Sequence, residues 1–194
     1  YYVIGHFHYV VAPGILFGLF AGIYYWYPKM FGRHMNTVLG HLHFWPSLVA
    51  INFVFFPMLM QGMAGFHRRW YNGGDAYVVD ADSDNVFGQI VRDNIGLNSV
   101  MSVAVFVLAA AQLPFIINLF TAWFAGKKAT DNPWDATTLE WATPTPPGHG
   151  NFTFDVAVYR GPYEYSRPDR EEDYYPQWEE PANKGAKSQS ESAE

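Results

Sequence analysis

Three apolar runs, at about residues 3–27, 39–66 and 95–124, constrain this chain more than any other feature of it. Crossing a bilayer takes roughly 20 helical residues, and each run is long enough. Hydrocarbon offers the backbone no hydrogen-bond partner, so spans of this kind are expected to be helices that satisfy their own amides. No Asp or Glu occurs before Asp75, which leaves the first two runs free of negative charge. The expected fold class is an all-α membrane protein with three transmembrane helices within residues 1–128. Residues 129–194 follow as an extended polar C-terminal tail.

Local signals divide the runs. The first carries Gly14, Gly18 and Gly22 at four-residue spacing, a stripe of small residues that lets helices approach closely. Pro13 lies inside it and would kink an isolated helix. Tyr24-Tyr25-Trp26-Tyr27 reads as an interfacial aromatic cluster, in a chain that is 19% aromatic. A polar connector with Lys29, Arg33 and His34 is expected next, then the second run with Asn52 and Pro57. The loop of residues 67–94 holds Asp75, Asp80, Asp82 and Asp84, with Gly73-Gly74 as a turn signal. Gly126-Lys127-Lys128 stops the third run.

Basic residues set the expected orientation. Lys29, Arg33, Lys127 and Lys128 share one side, which the positive-inside rule makes cytoplasmic. The tail then lies on the cytoplasmic face, across partner surfaces or partly disordered. It carries 13 acidic residues against 5 Lys or Arg, and no basic patch anywhere suggests nucleic acid. The chain lacks cysteine, which excludes disulfides and thiolate metal sites. Its opening has no basic leader or cleavage motif and reads as the inside of a helix whose upstream part is missing.

The chemistry concentrates at the head of the first run. His6 and His8 are two residues apart, and helix positions about 100° apart send them to nearly opposite sides. They cannot readily grip one metal ion together, but each could serve a bulky cofactor on its own side. Haem iron is commonly held by an imidazole, and haem propionates need cations near the membrane surface. Arg68 and Arg69, at the expected depth of the histidines, have no acidic residue within five positions. The plainer alternatives are a histidine bonded to a carbonyl and arginines snorkelling to lipid headgroups. His41 and His43 repeat the spacing at the other end of the second run and read as interface or interhelix hydrogen-bonding residues rather than metal ligands. Met58, Met60 and Met63 read as packing. No nucleophile-and-base pair lies within the runs, so catalysis would need a bound cofactor.

Four stretches, in order, resemble the C-terminal part of cytochrome c oxidase subunit I, the catalytic subunit of the haem-copper oxygen reductases. They are Tyr1-Tyr2-Val3 with His6-Phe7-His8-Tyr9-Val10, then Asn52-Phe53-Val54-Phe55-Phe56-Pro57, then Arg68-Arg69. The last is Asn132-Pro133-Trp134 with Thr137-Thr138-Leu139-Glu140-Trp141. The Pro-rich stretch from Pro144 to Phe152 resembles the tail of bacterial members.

The resemblance implies that the three spans are the last three of about twelve. It implies His6 as proximal ligand of the high-spin haem, where oxygen is reduced, and His8 as an axial ligand of the low-spin haem. Phe7 would stand between the two haems, and Arg68 and Arg69 would hold the propionates. The implied cofactors are two haems, of A type, and a copper ion whose histidine ligands belong upstream. The implied partners are the upstream part of subunit I, subunits II and III, cytochrome c or quinol as donor, oxygen and lipid. The implied setting is a bacterial inner membrane, and the implied activity is oxygen reduction to water with proton pumping, in the intact complex alone. Two departures are Met58-Leu59-Met60-Gln61, where many members have a histidine, and His67, where proline is frequent. A nitric oxide reductase shares the histidine pair, but the Asn-Pro-Trp and Thr-Leu-Glu-Trp signature argues against it. A bis-histidine cytochrome b carrier and a metal transporter using His6, His8, His41 and His43 are the rivals from other classes.

Overall fold

A computed structural model describes residues 1–69, 96–166, 168, 171 and 173–180. The described residues form three long helices: α1 (Tyr2–Phe31), α2 (Thr37–Met63) and α3 (Leu97–Ala125). All three are long and apolar enough to cross a membrane, and no strand occurs among the described residues. The chain is therefore an all-α membrane protein. From residue 70 onward the expected acidic loop lies outside the described residues.

The chain divides into two compact units, Tyr1–Tyr25 with Met35–Gly126, and Trp26–His34 with Lys127–Glu194. In the first, α2 and α3 form the tightly packed pair. The residues that α2 buries include His43, Ser47, Ala50, Val54, Pro57 and Gln61, and those of α3 include Met101, Ala104, Ala111, Phe115, Asn118 and Ala122. Steps of three and four residues, sustained along both helices, are the spacing of left-handed knobs-into-holes packing. The small residues in these stripes bring the backbones together, and the polar ones bond across the interface. The contacts His43 to Gln112 and Gln61 to Asn98 run in opposite order, so the helices are antiparallel.

The entry to α2 is fixed by α3. Asn36 caps the helix, its side-chain oxygen accepting from the amides of Val38 and Leu39 at 2.9 and 3.2 Å. Asn118, fully buried on α3, accepts from the Asn36 amide at 2.7 Å and donates to the Asn36 carbonyl at 2.9 Å.

Helix α1 lies antiparallel to α2 and is much more exposed. It meets the α2 backbone closely at its first turns. A Cβ on Gly5 would lie 2.9 Å from the Met58 Cβ, and one on Gly62 would collide with the Tyr2 backbone. Farther along, Phe17 packs on Phe44, and Phe20 and Tyr24 pack on His43.

In the second unit the structure corrects one expectation. Lys29 does not belong to a polar connector: α1 continues through Phe31, and Lys29 sits in its last turn, only 4% exposed. Its ammonium donates to the carbonyls of Asp131 (2.8 Å) and Thr143 and to the Thr145 hydroxyl (3.2 Å), and lies 5.7 Å from the centre of the Trp141 ring. These acceptors replace water around the ammonium, so the helix need not end where the charge appears. Gly32, at φ 67°, terminates α1 instead. Backbone bonds from His34 to Lys127 and from Ala129 to Gly32 hold the start of the tail. The tail then folds through Asn132, which closes a loop onto both backbone groups of Ala136. A 3₁₀ turn over Leu139–Ala142 follows and carries the buried Trp141.

Candidate functional site

The first two turns of α1 carry His6, Phe7 and His8, all exposed. Because α1 is unbroken from Tyr2, the i, i+2 spacing sends the two imidazoles to nearly opposite sides of one helix. A rise of 1.5 Å per residue places them about 6 and 9 Å in from Tyr2. The two rings therefore do not converge on a shared metal position. Among the described residues no group of three or more His, Cys, Asp or Glu does so either.

Each ring has its own support. The Nδ1 of His8 lies 2.8 Å from the Ile4 carbonyl, one turn back in the same helix. A carbonyl can only accept, so Nδ1 carries a proton, and in the neutral ring the lone pair then lies on Nε2. That tautomer is the one a metal ligand needs. The His8 ring is stacked on Phe55 of α2 at 6.0 Å and met edge-on by Phe7 at 5.6 Å. His6 is stacked on Tyr2, 6.3 Å away and 15° from parallel. Phe7 itself is 57% exposed and projects between the two histidines.

Arg68 and Arg69 follow the C-terminal end of α2, and both are exposed. Gly62 abuts Tyr2, so the end of α2 and the start of α1 are neighbours, and the arginines share that end of the helix pair with the histidines. Arg69 sits at φ 67°, an uncommon backbone state for a long side chain. The donor set suits a porphyrin: single imidazoles on separate faces, apolar rings around them, and two cations at one end for carboxylates.

The second histidine pair splits. His41 is exposed, whereas His43 is 2% exposed and bonded at both nitrogens. Its Nε2–H donates to the Gln112 side-chain oxygen at 3.1 Å, and its Nδ1 accepts from the Tyr24 hydroxyl at 3.3 Å. Gln112 in turn donates to Ser47 at 3.1 Å and to the Leu108 carbonyl at 2.9 Å. With both ring nitrogens engaged, His43 is an interhelix hydrogen-bonding residue with no lone pair left for a metal.

Sequence reasoning missed the pair Tyr9 and Asn52. The Tyr9 hydroxyl donates to the Asn52 side-chain oxygen, and the Asn52 amide donates to the Leu48 carbonyl at 2.6 Å. An asparagine within an otherwise apolar span was the available signal, since a polar side chain there needs a partner.

The family model described as Cytochrome C and Quinol oxidase polypeptide I matches residues 1–107. The alternative cytochrome c oxidase subunit 1 of Bradyrhizobium diazoefficiens is 38% identical over 182 residues, 93% of this chain and 29% of that protein. The cytochrome c oxidase subunit 1 of Synechocystis sp. is 40% identical over 165 residues, 85% of this chain and 27% of its own length. That of Thermostichus vulcanus is 41% identical over 172 residues, 89% and 28% respectively. The chain thus spans less than a third of the length of these relatives.

Proposed function

Because the chain belongs to the cytochrome c and quinol oxidase polypeptide I family, we propose that it forms part of the catalytic subunit of a respiratory terminal oxidase. In this reading His6 would hold a high-spin haem and His8 a low-spin haem. The intact enzyme reduces oxygen to water and couples the reduction to proton pumping. The observation that carries the reading is the pair of exposed imidazoles on opposite sides of one unbroken helix, with two cationic side chains at the same end.

When bound, the haems and the copper of the intact subunit would supply electron transfer and oxygen reduction; the copper ligands are assigned to parts of the longer subunit that these residues do not include. The chain's own residues hold and orient. His8 presents Nε2 because the Ile4 carbonyl engages Nδ1. His6 is braced by the Tyr2 ring. Phe7 keeps the space between the histidines apolar and dry, and acts by packing. Arg68 and Arg69 neutralise the propionate carboxylates, which would otherwise be expensive so near hydrocarbon. The proposed partners are the rest of subunit I, subunits II and III, and cytochrome c or quinol as donor. The proposed setting is a bacterial inner membrane, with the tail on its cytoplasmic side.

Visible and carbon monoxide difference spectra of the intact oxidase in membranes test the assignment. His8→Ala is expected to lose the low-spin haem band while carbon monoxide still binds. His6→Ala is expected to lose the carbon monoxide adduct. If either variant keeps both signals, that ligand assignment is wrong.

A further inference from the structure

We infer that Tyr9 and Asn52 form a positioning strut that fixes the orientation of the His8 imidazole. The inference rests on His8 being a haem ligand and adds two residues that act on the haem only through it.

The Asn52 amide is held in one sense. Its NH₂ group donates to the Leu48 carbonyl, which turns the side-chain oxygen outward, where the Tyr9 hydroxyl donates to it. The bond crosses from α1 to α2 one residue beyond His8. Three residues on from Asn52, Phe55 occupies a neighbouring position on α2 and touches both rings, His8 at 6.0 Å and Tyr9 at 6.1 Å. The strut and the platform therefore sit on one element and grip adjacent residues of the other.

Rotation of α1 about its own axis is what such a grip resists. Side-chain atoms lie about 5–6 Å from a helix axis, so a turn of about 10° would carry the imidazole by about 1 Å. The Ile4 carbonyl cannot prevent this, because it turns with the helix. The close approach at Gly5, against Met58 and Leu59, limits how near the helices come but makes no hydrogen bond to α2. Along α1, the next hydrogen bond that the described side chains make to α2 is the one from Tyr24 to His43, some four turns away. The hydrogen bond from Tyr9 is thus placed to set the angle of the ring beside it.

Electron paramagnetic resonance of the ferric low-spin haem reads this directly, since its g values depend on the plane of the axial imidazole. Tyr9→Phe, Asn52→Leu and the double variant are compared in the intact oxidase, with His8→Ala as reference. Both single variants are expected to shift the low-spin g values in the same sense with the haem retained. The double variant should shift them no further, because each single change removes the same bond. Parent g values in Tyr9→Phe, the milder change, overturn the inference, as does a double variant showing the sum of the two shifts. A low-spin signal that survives in His8→Ala overturns the ligand assignment itself and the strut with it. Loss of that signal in His8→Ala, with parent g values in the other variants, overturns the strut alone.

Discussion

Replacing Lys29 by methionine keeps most of the side-chain length and apolar stem but removes the ammonium that the folded tail surrounds. Three acceptors lose their donor: the carbonyls of Asp131 and Thr143 and the hydroxyl of Thr145. Hydrogen bonds to a charged group are worth about 1.5–3 kcal/mol each. The Thr145 bond, at 3.2 Å, belongs at the weak end. Against this, the variant no longer has to bury a cation, a cost of several kcal/mol in a protein interior. With the two good bonds at the top of that range, the weak one at its bottom and a burial cost of about 3.5–5.5 kcal/mol, the net loss is about 2–4 kcal/mol. At about 1.4 kcal/mol per factor of ten, transient opening of the segment becomes roughly 30- to 700-fold more frequent. Hydrogen exchange of the intact oxidase in membranes checks this at the Ala136 and Thr145 amides, both hydrogen-bonded in the fold. Faster exchange there, with the transmembrane amides unchanged, is the expected result. Unchanged exchange at both positions would refute the idea that the buried lysine fastens the tail.

Arg68→Gln is expected to lower the potential of at least one haem by tens of millivolts. A unit charge lost at about 10 Å, with an effective dielectric constant of about 20, is worth about 1.7 kcal/mol, and its loss favours the oxidised iron. Spectroelectrochemistry showing both potentials unchanged would remove this residue from the propionate clamp. Asn118→Leu leaves the amide and carbonyl of Asn36 without their buried partner and is expected to cost about 1–3 kcal/mol, read as earlier loss of haem absorbance on denaturation. An unaltered denaturation midpoint would show that water or another group takes over. Gly62→Ala sets a methyl group against the Tyr2 backbone and should cost about 1–3 kcal/mol by overpacking, seen as a lower yield of haem-loaded oxidase. A parent-like yield would mean that the start of α1 shifts freely.

Length and apolarity made the three helices legible, because hydrocarbon leaves a long apolar chain few alternatives. The placement of His6 and His8 on opposite sides followed from helical geometry alone, and α1 is continuous where that geometry needs it. The end of α1 was not legible. Lys29 looks like a connector residue until one sees what surrounds it, and the groups that do lie more than a hundred positions away. The difference between His41 and His43 was similarly hidden, since both have the same local surroundings in sequence. A signal did exist at longer range: His43, Ser47, Ala50 and Gln61 place small and polar residues on one stripe of α2. In water an apolar stripe marks the buried face, but a helix that is apolar all round hides it. In a membrane the small and polar residues have to be followed instead.

The uneven packing of the three helices matches the division of labour proposed for them. α2 and α3 bury a continuous stripe against each other and bond across it at His43, Ser47, Gln61 and Asn118, so neither can turn without breaking several contacts. α1 buries no such stripe and leaves both imidazoles exposed. It is held instead near its ends, by the close approaches at Gly5 and Gly62 with the Tyr9 bond, and by Phe20 and Tyr24 against His43. Such a helix gains little from area and depends on a few well-placed contacts. Substitutions at those contacts should therefore disturb the histidines more than equally large changes on the exposed positions between them, such as Ile15 or Leu19.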